Sequence, residues 1–170
     1  MAYQQITTLR SFQSTALWDW LKILPNSIAL SDTIGSDAFF RDFTPALACA
    51  YAGVRQDSGD PITFANKLLL HYDKCGIDSK TKTLVFSNSL DFPTIAELYY
   101  MYHRRFKVRF GIGTNLTNDC GPEPLNMVIK MDTYSGKPVV KLSDDAGKET
   151  GDKKMIKKVR DTFHVTVENK

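Results

Sequence analysis

Along the first two-thirds of the chain, short apolar runs alternate with longer amphipathic stretches, and polar turns separate the two. Ser14 is placed to cap a helix from Thr15 to Leu24, which Pro25 stops. Ser27 to Ser31 reads as a short buried strand, and Gly35-Ser36 then opens a helix over Asp37 to Asp42 with Phe39 and Phe40 inward. Tyr51 to Arg55 is the next strand. Asp60 and Pro61 follow as cap and first residue of a helix whose apolar face is Ile62, Ala65, Leu68, Leu69 and Tyr72, and Gly76 suits its end. The third unit repeats the plan: a strand over Thr83 to Phe86, a Ser87-Asn88-Ser89 turn and Asp91 as cap. Its helix carries Ile95, Leu98, Tyr99 and Tyr102 on one face. Val108 to Phe110 then feeds Gly111-Ile112-Gly113-Thr114, with a short helix after it.

Beyond this point the period changes. Asn126 to Met131 and Pro138 to Leu142 read as two strands of a hairpin turning at Ser135-Gly136. Lys153 to Phe163 is a final amphipathic helix with Met155, Ile156, Val159 and Phe163 inward and its lysines on a solvated face. His164 to Lys170 reads as a loose tail, and Trp18 as a core residue. Successive βα units imply an α/β fold with a parallel sheet. Four such units are half of an eight-stranded barrel, and a sheet ending there leaves edges with unpaired backbone groups. The expected organisation is a partial α/β barrel over residues 1–121, then a hairpin and helix of a smaller α+β domain over 122–170.

Composition narrows the class without naming a function. The 170 residues are 42% hydrophobic and 24% charged, enough for one folded core. A net charge of +3 is too small a bias to point to nucleic acid or a membrane surface. No apolar run approaches a membrane span, and Met1 to Ser14 lacks the pattern of a signal peptide. The three cysteines, Cys49, Cys75 and Cys120, are widely separated and read as reduced thiols of a cytoplasmic protein.

The polar clusters Ser31-Asp32, Arg55 to Asp60, Ser87-Asn88 and Gly111 to Thr114 each follow a strand. In parallel α/β proteins the loops after the strands converge on the ligand. Asp57 can take a hydrogen bond from a sugar hydroxyl or hold Mg²⁺ through water, and equally can serve as a turn-forming aspartate. Asp60 fits the helix cap better than a ligand contact. Arg55 offers a planar fork for a carboxylate or phosphate, or pairs with a neighbouring acid. Gly111-Ile112-Gly113-Thr114 is either a phosphate cradle or a tight turn; it is neither a dinucleotide fingerprint nor a Walker loop. His71 and His103 lack a second ligand at helical spacing, so no metal site is expected.

Two stretches are more specific than any of these patterns. Gly53-Val54-Arg55-Gln56-Asp57-Ser58-Gly59-Asp60-Pro61 and Phe110-Gly111-Ile112-Gly113-Thr114-Asn115-Leu116-Thr117-Asn118-Asp119 resemble the nicotinate phosphoribosyltransferase family. So do Ile28 to Thr33, Leu84 to Ser87, Pro124 to Lys130 and Lys141 to Asp144, in order, from about Ala16 to about Phe163. The resemblance implies an irregular TIM-like barrel of the type II phosphoribosyltransferases. It also implies formation of nicotinate mononucleotide and pyrophosphate from nicotinate and 5-phosphoribosyl 1-pyrophosphate, coupled to ATP hydrolysis with Mg²⁺, in NAD salvage. Carried over by motif, Asp32, Arg55, Asp57, Ser58 and Gly59 would contact substrate, with Arg55 and Asp57 facing the pyridine and ribose. Ser87, Gly111, Gly113 and Thr114 would lie at the 5′-phosphate.

The match departs from the family in two ways. Asn88 stands where family members commonly carry Asp after the serine of the third strand. The similarity covers only the C-terminal part of the enzyme, so the histidine phosphorylated by ATP belongs upstream, and none of His71, His103 or His164 lies in its motif. The resemblance also implies a homodimer in the full enzyme, and packing of the Asn126 to Leu142 hairpin against the family's N-terminal domain. A missing N-terminal half, or a partner chain supplying it, is therefore expected, with little or no turnover by this chain alone. The rival readings are a non-catalytic nucleotide-binding module, the subunit of a split enzyme, and a different phosphate-binding α/β protein.

Overall fold

The computed structural model describes residues 1–125, 127–145 and 147–165. Four parallel strands, β1 (Ile28–Leu30), β2 (Gly53–Gln56), β3 (Thr83–Phe86) and β4 (Lys107–Phe110), form one sheet in sequence order. Each neighbour is reached through a right-length helical connection, as parallel pairing demands. Two helices precede the sheet, α1 (Tyr3–Ile6) and α2 (Phe12–Ile23). Between strands lie α3 (Ser36–Asp42), α4 (Pro45–Ala50), α5 (Pro61–Lys74) and α6 (Phe92–Tyr102). The short α7 (Thr114–Thr117) follows β4. A two-stranded hairpin, β5 (Thr133–Tyr134) with β6 (Lys137–Pro138), and the terminal α8 (Lys153–Phe163) complete the chain.

Two caps read from sequence act as such: Asp60 Oδ1 accepts the Thr63 amide at 2.7 Å and Asp91 Oδ1 accepts that of Thr94 at 2.9 Å. Ser14 does not, because it lies inside α2 and donates its hydroxyl back to Ser11 O at 3.0 Å. Helix α2 begins earlier than Thr15, at Phe12, because Phe12 itself is core. Helix α4 was not anticipated, although Thr44 caps it and Pro45 begins it. Trp18, expected in the core, is 40% exposed: α2 turns Phe12, Leu17 and Leu21 inward, and Trp18 lies off that stripe. Tyr99 likewise faces out, stacked on His103 at 4.9 Å between ring centres.

The hairpin turns at Ser135-Gly136 as expected, but its arms are only two residues each. Among the described residues of the expected first strand, 127–131 form no ladder; Asn126 lies outside the described residues. Val139 and Val140 nevertheless become core, and Lys141 makes a single antiparallel bridge with Thr150. The tail beyond Val165 is outside the described residues, while His164 adopts a left-handed cap and Val165 packs against the core.

Two hydrophobic clusters hold the molecule. The larger joins Ala29, Val54, Leu84 and Phe86 of the sheet to Phe39, Phe43, Leu47, Phe64, Leu68, Tyr72, Leu98 and Tyr102 of the helices. The second gathers Val140, Leu142 and α8's Met155, Ile156, Val159 and Phe163 onto Phe12, Ile34 and Ala38. Strand alternation explains why only one sheet face is packed. Ala29, Val54 and Leu84 share a register row and are buried, with Val108 beside them partly so. The next row, Leu30, Arg55, Val85 and Arg109, points the opposite way; its Leu30, Arg55 and Arg109 are exposed. Among the described residues no helix is long and apolar enough to cross a membrane.

Candidate functional site

The open face leads to the site. Residues two positions beyond Leu30, Arg55, Val85 and Arg109 are Asp32, Asp57, Ser87 and Gly111, so extending the register sets them side by side past the strand ends. These are the residues singled out from sequence in each of the four strand-end loops.

Arg55, Asp57 and Ser87 form one network. Arg55 Nε donates to Ser87 Oγ at 2.8 Å, and Arg55 Nη2 pairs with Asp57 Oδ1 at 3.1 Å. The Ser87 hydroxyl lies 2.8 Å from both Asp57 Oδ1 and the Gln56 carbonyl, and its one proton serves one of them at a time. Both readings of Arg55 therefore meet in one geometry: it pairs with a neighbouring acid while its Nη1 makes no hydrogen bond among the described residues. Beneath the network, the fully buried Gln56 donates to the carbonyls of Ser58 at 2.9 Å and Gly59 at 3.0 Å, and Asn88 donates to Gly59 O at 3.2 Å. Asn88, where the family commonly has Asp, thus braces the second loop.

The glycine loop has a mixed role. The Gly111 amide continues the ladder to Phe86 O at 2.8 Å, and a Cβ on Gly111 would come within 3.2 Å of Ser87 Cβ. Gly111 lets the fourth loop pass close to Ser87. The amides of Ile112 and Gly113 make no backbone hydrogen bond among the described residues, and a Cβ on Gly113 would meet nothing within 4 Å. Thr114 begins α7 exposed, and its hydroxyl makes no hydrogen bond among the described residues. Asn115 Nδ2 donates to Leu90 O at 2.9 Å and ties this loop to the third.

Asp32, Ser58 and Gly59 are placed differently. Asp32 has a side chain only 3% exposed; its Oδ2 receives Lys141 Nζ at 2.5 Å and its Oδ1 has no partner. Ser58 is buried, with its hydroxyl donated to Asp144 Oδ2 at 3.0 Å, and the Gly59 amide donates to Asp145 Oδ1 at 3.0 Å. Asp145 sits below the ordinary carboxylate range. Burial opposes its ionisation, but the Lys148 ammonium at 2.6 Å and the Gly59 amide outweigh that. Lys141, Asp144 and Asp145 were not singled out for the site, since the loops they grip are 86 to 109 residues earlier in the chain. The sequence signals were the family resemblance over Lys141 to Asp144 and the polar run that begins at Ser143.

The model of the nicotinate phosphoribosyltransferase (NAPRTase) family matches residues 1–167. The chain belongs to the nicotinate phosphoribosyltransferase family. It is 50% identical over 169 residues to the nicotinate phosphoribosyltransferase of Photorhabdus laumondii, covering 96% of this chain and 42% of that protein. The Buchnera aphidicola nicotinate phosphoribosyltransferase is 46% identical, with 99% of this chain and 44% of that protein covered. Among solved structures, nicotinate phosphoribosyltransferase from Vibrio cholerae superposes with a TM-score of 0.94 at 38% identity, over 99% of this chain and 43% of that one. The Porphyromonas gingivalis nicotinate phosphoribosyltransferase follows with 0.84 at 35% identity, over 92% and 43%. The chain thus spans less than half the length of the family members it matches, and the open sheet face belongs to that shared portion.

Proposed function

We propose that the chain supplies the ribose- and phosphate-facing share of a nicotinate phosphoribosyltransferase site acting in NAD salvage. The row of Asp57, Ser87 and Gly111 past the ends of β2, β3 and β4 is the observation that carries this reading. In the reaction the pyridine nitrogen of nicotinate bonds to the anomeric carbon of 5-phosphoribosyl 1-pyrophosphate as the bond to pyrophosphate breaks. Positive charge grows on the ribose ring, and a fixed carboxylate such as Asp57, held by Arg55 and Ser87, stabilises it without reorganising. Arg55 Nη1 is placed to meet the nicotinate carboxylate, and the Ile112 and Gly113 amides with the Thr114 hydroxyl to meet the 5′-phosphate. Ser58 and Gly59 serve by shaping the loop that carries Asp57.

The open sheet face supports the view that this share is not the whole. Parallel sheets are covered on both faces, and here one face and two edges are bare. Leu125 and Ile129 are 90% and 89% exposed, with Met127 and Val128 also out, in a stretch whose sequence is strand-like. Completion of a TIM-like barrel by the family's remaining length, in a homodimer or through a partner chain, would cover these surfaces. On this reading residues 1–121 are the barrel share and residues 122–170 the smaller domain, the two joined by the second hydrophobic cluster. Mg²⁺ keeps most of its waters and is held by one or two carboxylates with substrate phosphates, so Asp57 would hold it through water, where it would neutralise the departing pyrophosphate. His71 donates to Phe43 O at 2.8 Å and His103 stacks on Tyr99, and both therefore have structural roles in their helices. Three free thiols fit a cytoplasmic protein.

The test is a pyrophosphate-release assay on the pure chain with nicotinate, 5-phosphoribosyl 1-pyrophosphate, ATP and Mg²⁺, beside a titration with nicotinate mononucleotide. Binding of the product with no turnover is expected. Sustained turnover would contradict the division of the site, and absence of binding would contradict the assignment of its ribose–phosphate half.

A further inference from the structure

We infer that Asp144 is a positioning residue that sets the Asp57 carboxylate by clamping the first two strand-end loops together. The inference rests on the reading of Asp57 as a ribose-facing group. Asp144 Oδ1 accepts the Ser36 amide at 2.8 Å, and Oδ2 accepts both the Ser36 and the Ser58 hydroxyls. One carboxylate therefore bridges the loop after β1 and the loop after β2, across separations of 108 and 86 residues. Its neighbour Asp145 takes the Gly59 amide at 3.0 Å.

Two glycines make room for the clamp. Gly35 and Gly59 lie at φ of 137° and 70°, where L side chains are strained. A Cβ on Gly35 would come 3.0 Å from Asp144 Oδ1, and one on Gly59 would come 3.2 Å from Asp144 Cβ. Gly59, singled out above as a substrate contact, has a sufficient reason to be glycine in this packing. Ser58 follows Asp57 directly. Gln56 holds the Ser58 and Gly59 carbonyls, while Asp144 and Asp145 hold the Ser58 hydroxyl and the Gly59 amide. With the two residues after it pinned by four hydrogen bonds, Asp57 is held where it meets Arg55 and Ser87. Among the described residues Asp144 makes no hydrogen bond to the fourth loop, Gly111 to Thr114, so its direct hold is on the first two loops alone.

The test uses the full chain and Asp144→Asn, which keeps the shape but cannot accept from all three donors at once. Nicotinate mononucleotide binding is measured by titration, and inorganic phosphate binding by the amide shifts of Gly113 and Thr114. Hydrogen exchange is followed at Ser36 and over 57–59. D144N should weaken nicotinate mononucleotide at least tenfold, leave the phosphate-induced shifts unchanged and speed exchange at Ser36, with β3 unaffected. Ser58→Ala, which removes one donor, should give a smaller loss of the same kind and keeps the test available if D144N does not fold. Equal nicotinate mononucleotide affinity in D144N and the parent chain would overturn the inference, as would parallel loss of both ligands, the mark of a purely structural role. Failure of the parent chain to bind nicotinate mononucleotide would instead overturn the proposed function, and unchanged exchange at Ser36 would still count against the clamp.

Discussion

At the scale of single residues, the candidate site separates exposed groups such as Thr114 from groups that hold the loops. Thr114 is exposed and its hydroxyl makes no hydrogen bond among the described residues, so Thr114→Val should leave stability within about 0.5 kcal/mol. The same change should weaken nicotinate mononucleotide several-fold, which melting and titration on one preparation would check together. Gly53 is the opposite case. A Cβ there would stand 1.9 Å from the Thr83 carbonyl oxygen on the neighbouring strand, so Gly53→Ala should cost at least about 3 kcal/mol in denaturant unfolding. Local chemistry of this kind is partly legible in sequence. Asp60 and Asp91 show themselves as caps because a proline follows each within two residues, in the first turn of a helix. The partners of Asp32 and Ser58 were not legible, because Lys141 and Asp144 reach them only through the fold.

At the scale of elements, periodicity located all four strands and the terminal helix, since each packs by its own apolar pattern. It failed where a partner outside the local sequence decides the outcome. Residues 127–131 have a strand's composition but form no ladder among the described residues, and Trp18 has a core residue's composition on an outward face. Helix α8 holds the second cluster through Phe163, which meets Phe12 edge to face at 5.7 Å. Phe163→Ala should cost about 3–5 kcal/mol, read by chemical denaturation. Helix α5 carries a pH effect through His71. Burial pushes this imidazole below its ordinary value, although its bond to Phe43 O pulls the other way. The unfolded chain then takes up the proton first. The contribution is complete above about pH 6.5 and is lost as pH falls toward the folded value. The melting temperature should drop between pH 7 and 5, and should drop less in His71→Gln, whose amide can still donate to Phe43 O.

At the scale of the whole molecule, a parallel sheet with one open face carries most of its candidate site residues past the strand ends. Asp57, Ser87 and Gly111 continue the second to fourth strands side by side, whereas Asp32 turns inward to Lys141. The clamp of residues 141–145 ties that row to the second hydrophobic cluster, so the site and the C-terminal helix belong to one mechanical unit. A family member that spans 42% of a full-length relative can on this account retain half of a binding site while lacking the surfaces that close it. Acid should loosen the clamp: with Asp145 held below its ordinary range, its contribution is complete above about pH 4 and lost as pH falls through the folded value. The most direct measurement is thermal melting of the pure chain with and without nicotinate mononucleotide, with NAD and flavin mononucleotide as controls. A cooperative transition raised by nicotinate mononucleotide alone is predicted, by roughly 2.7 kcal/mol at about 100 times its dissociation constant. A cooperative transition that none of the three ligands moves, or that all three move alike, would contradict a retained ribose–phosphate half-site.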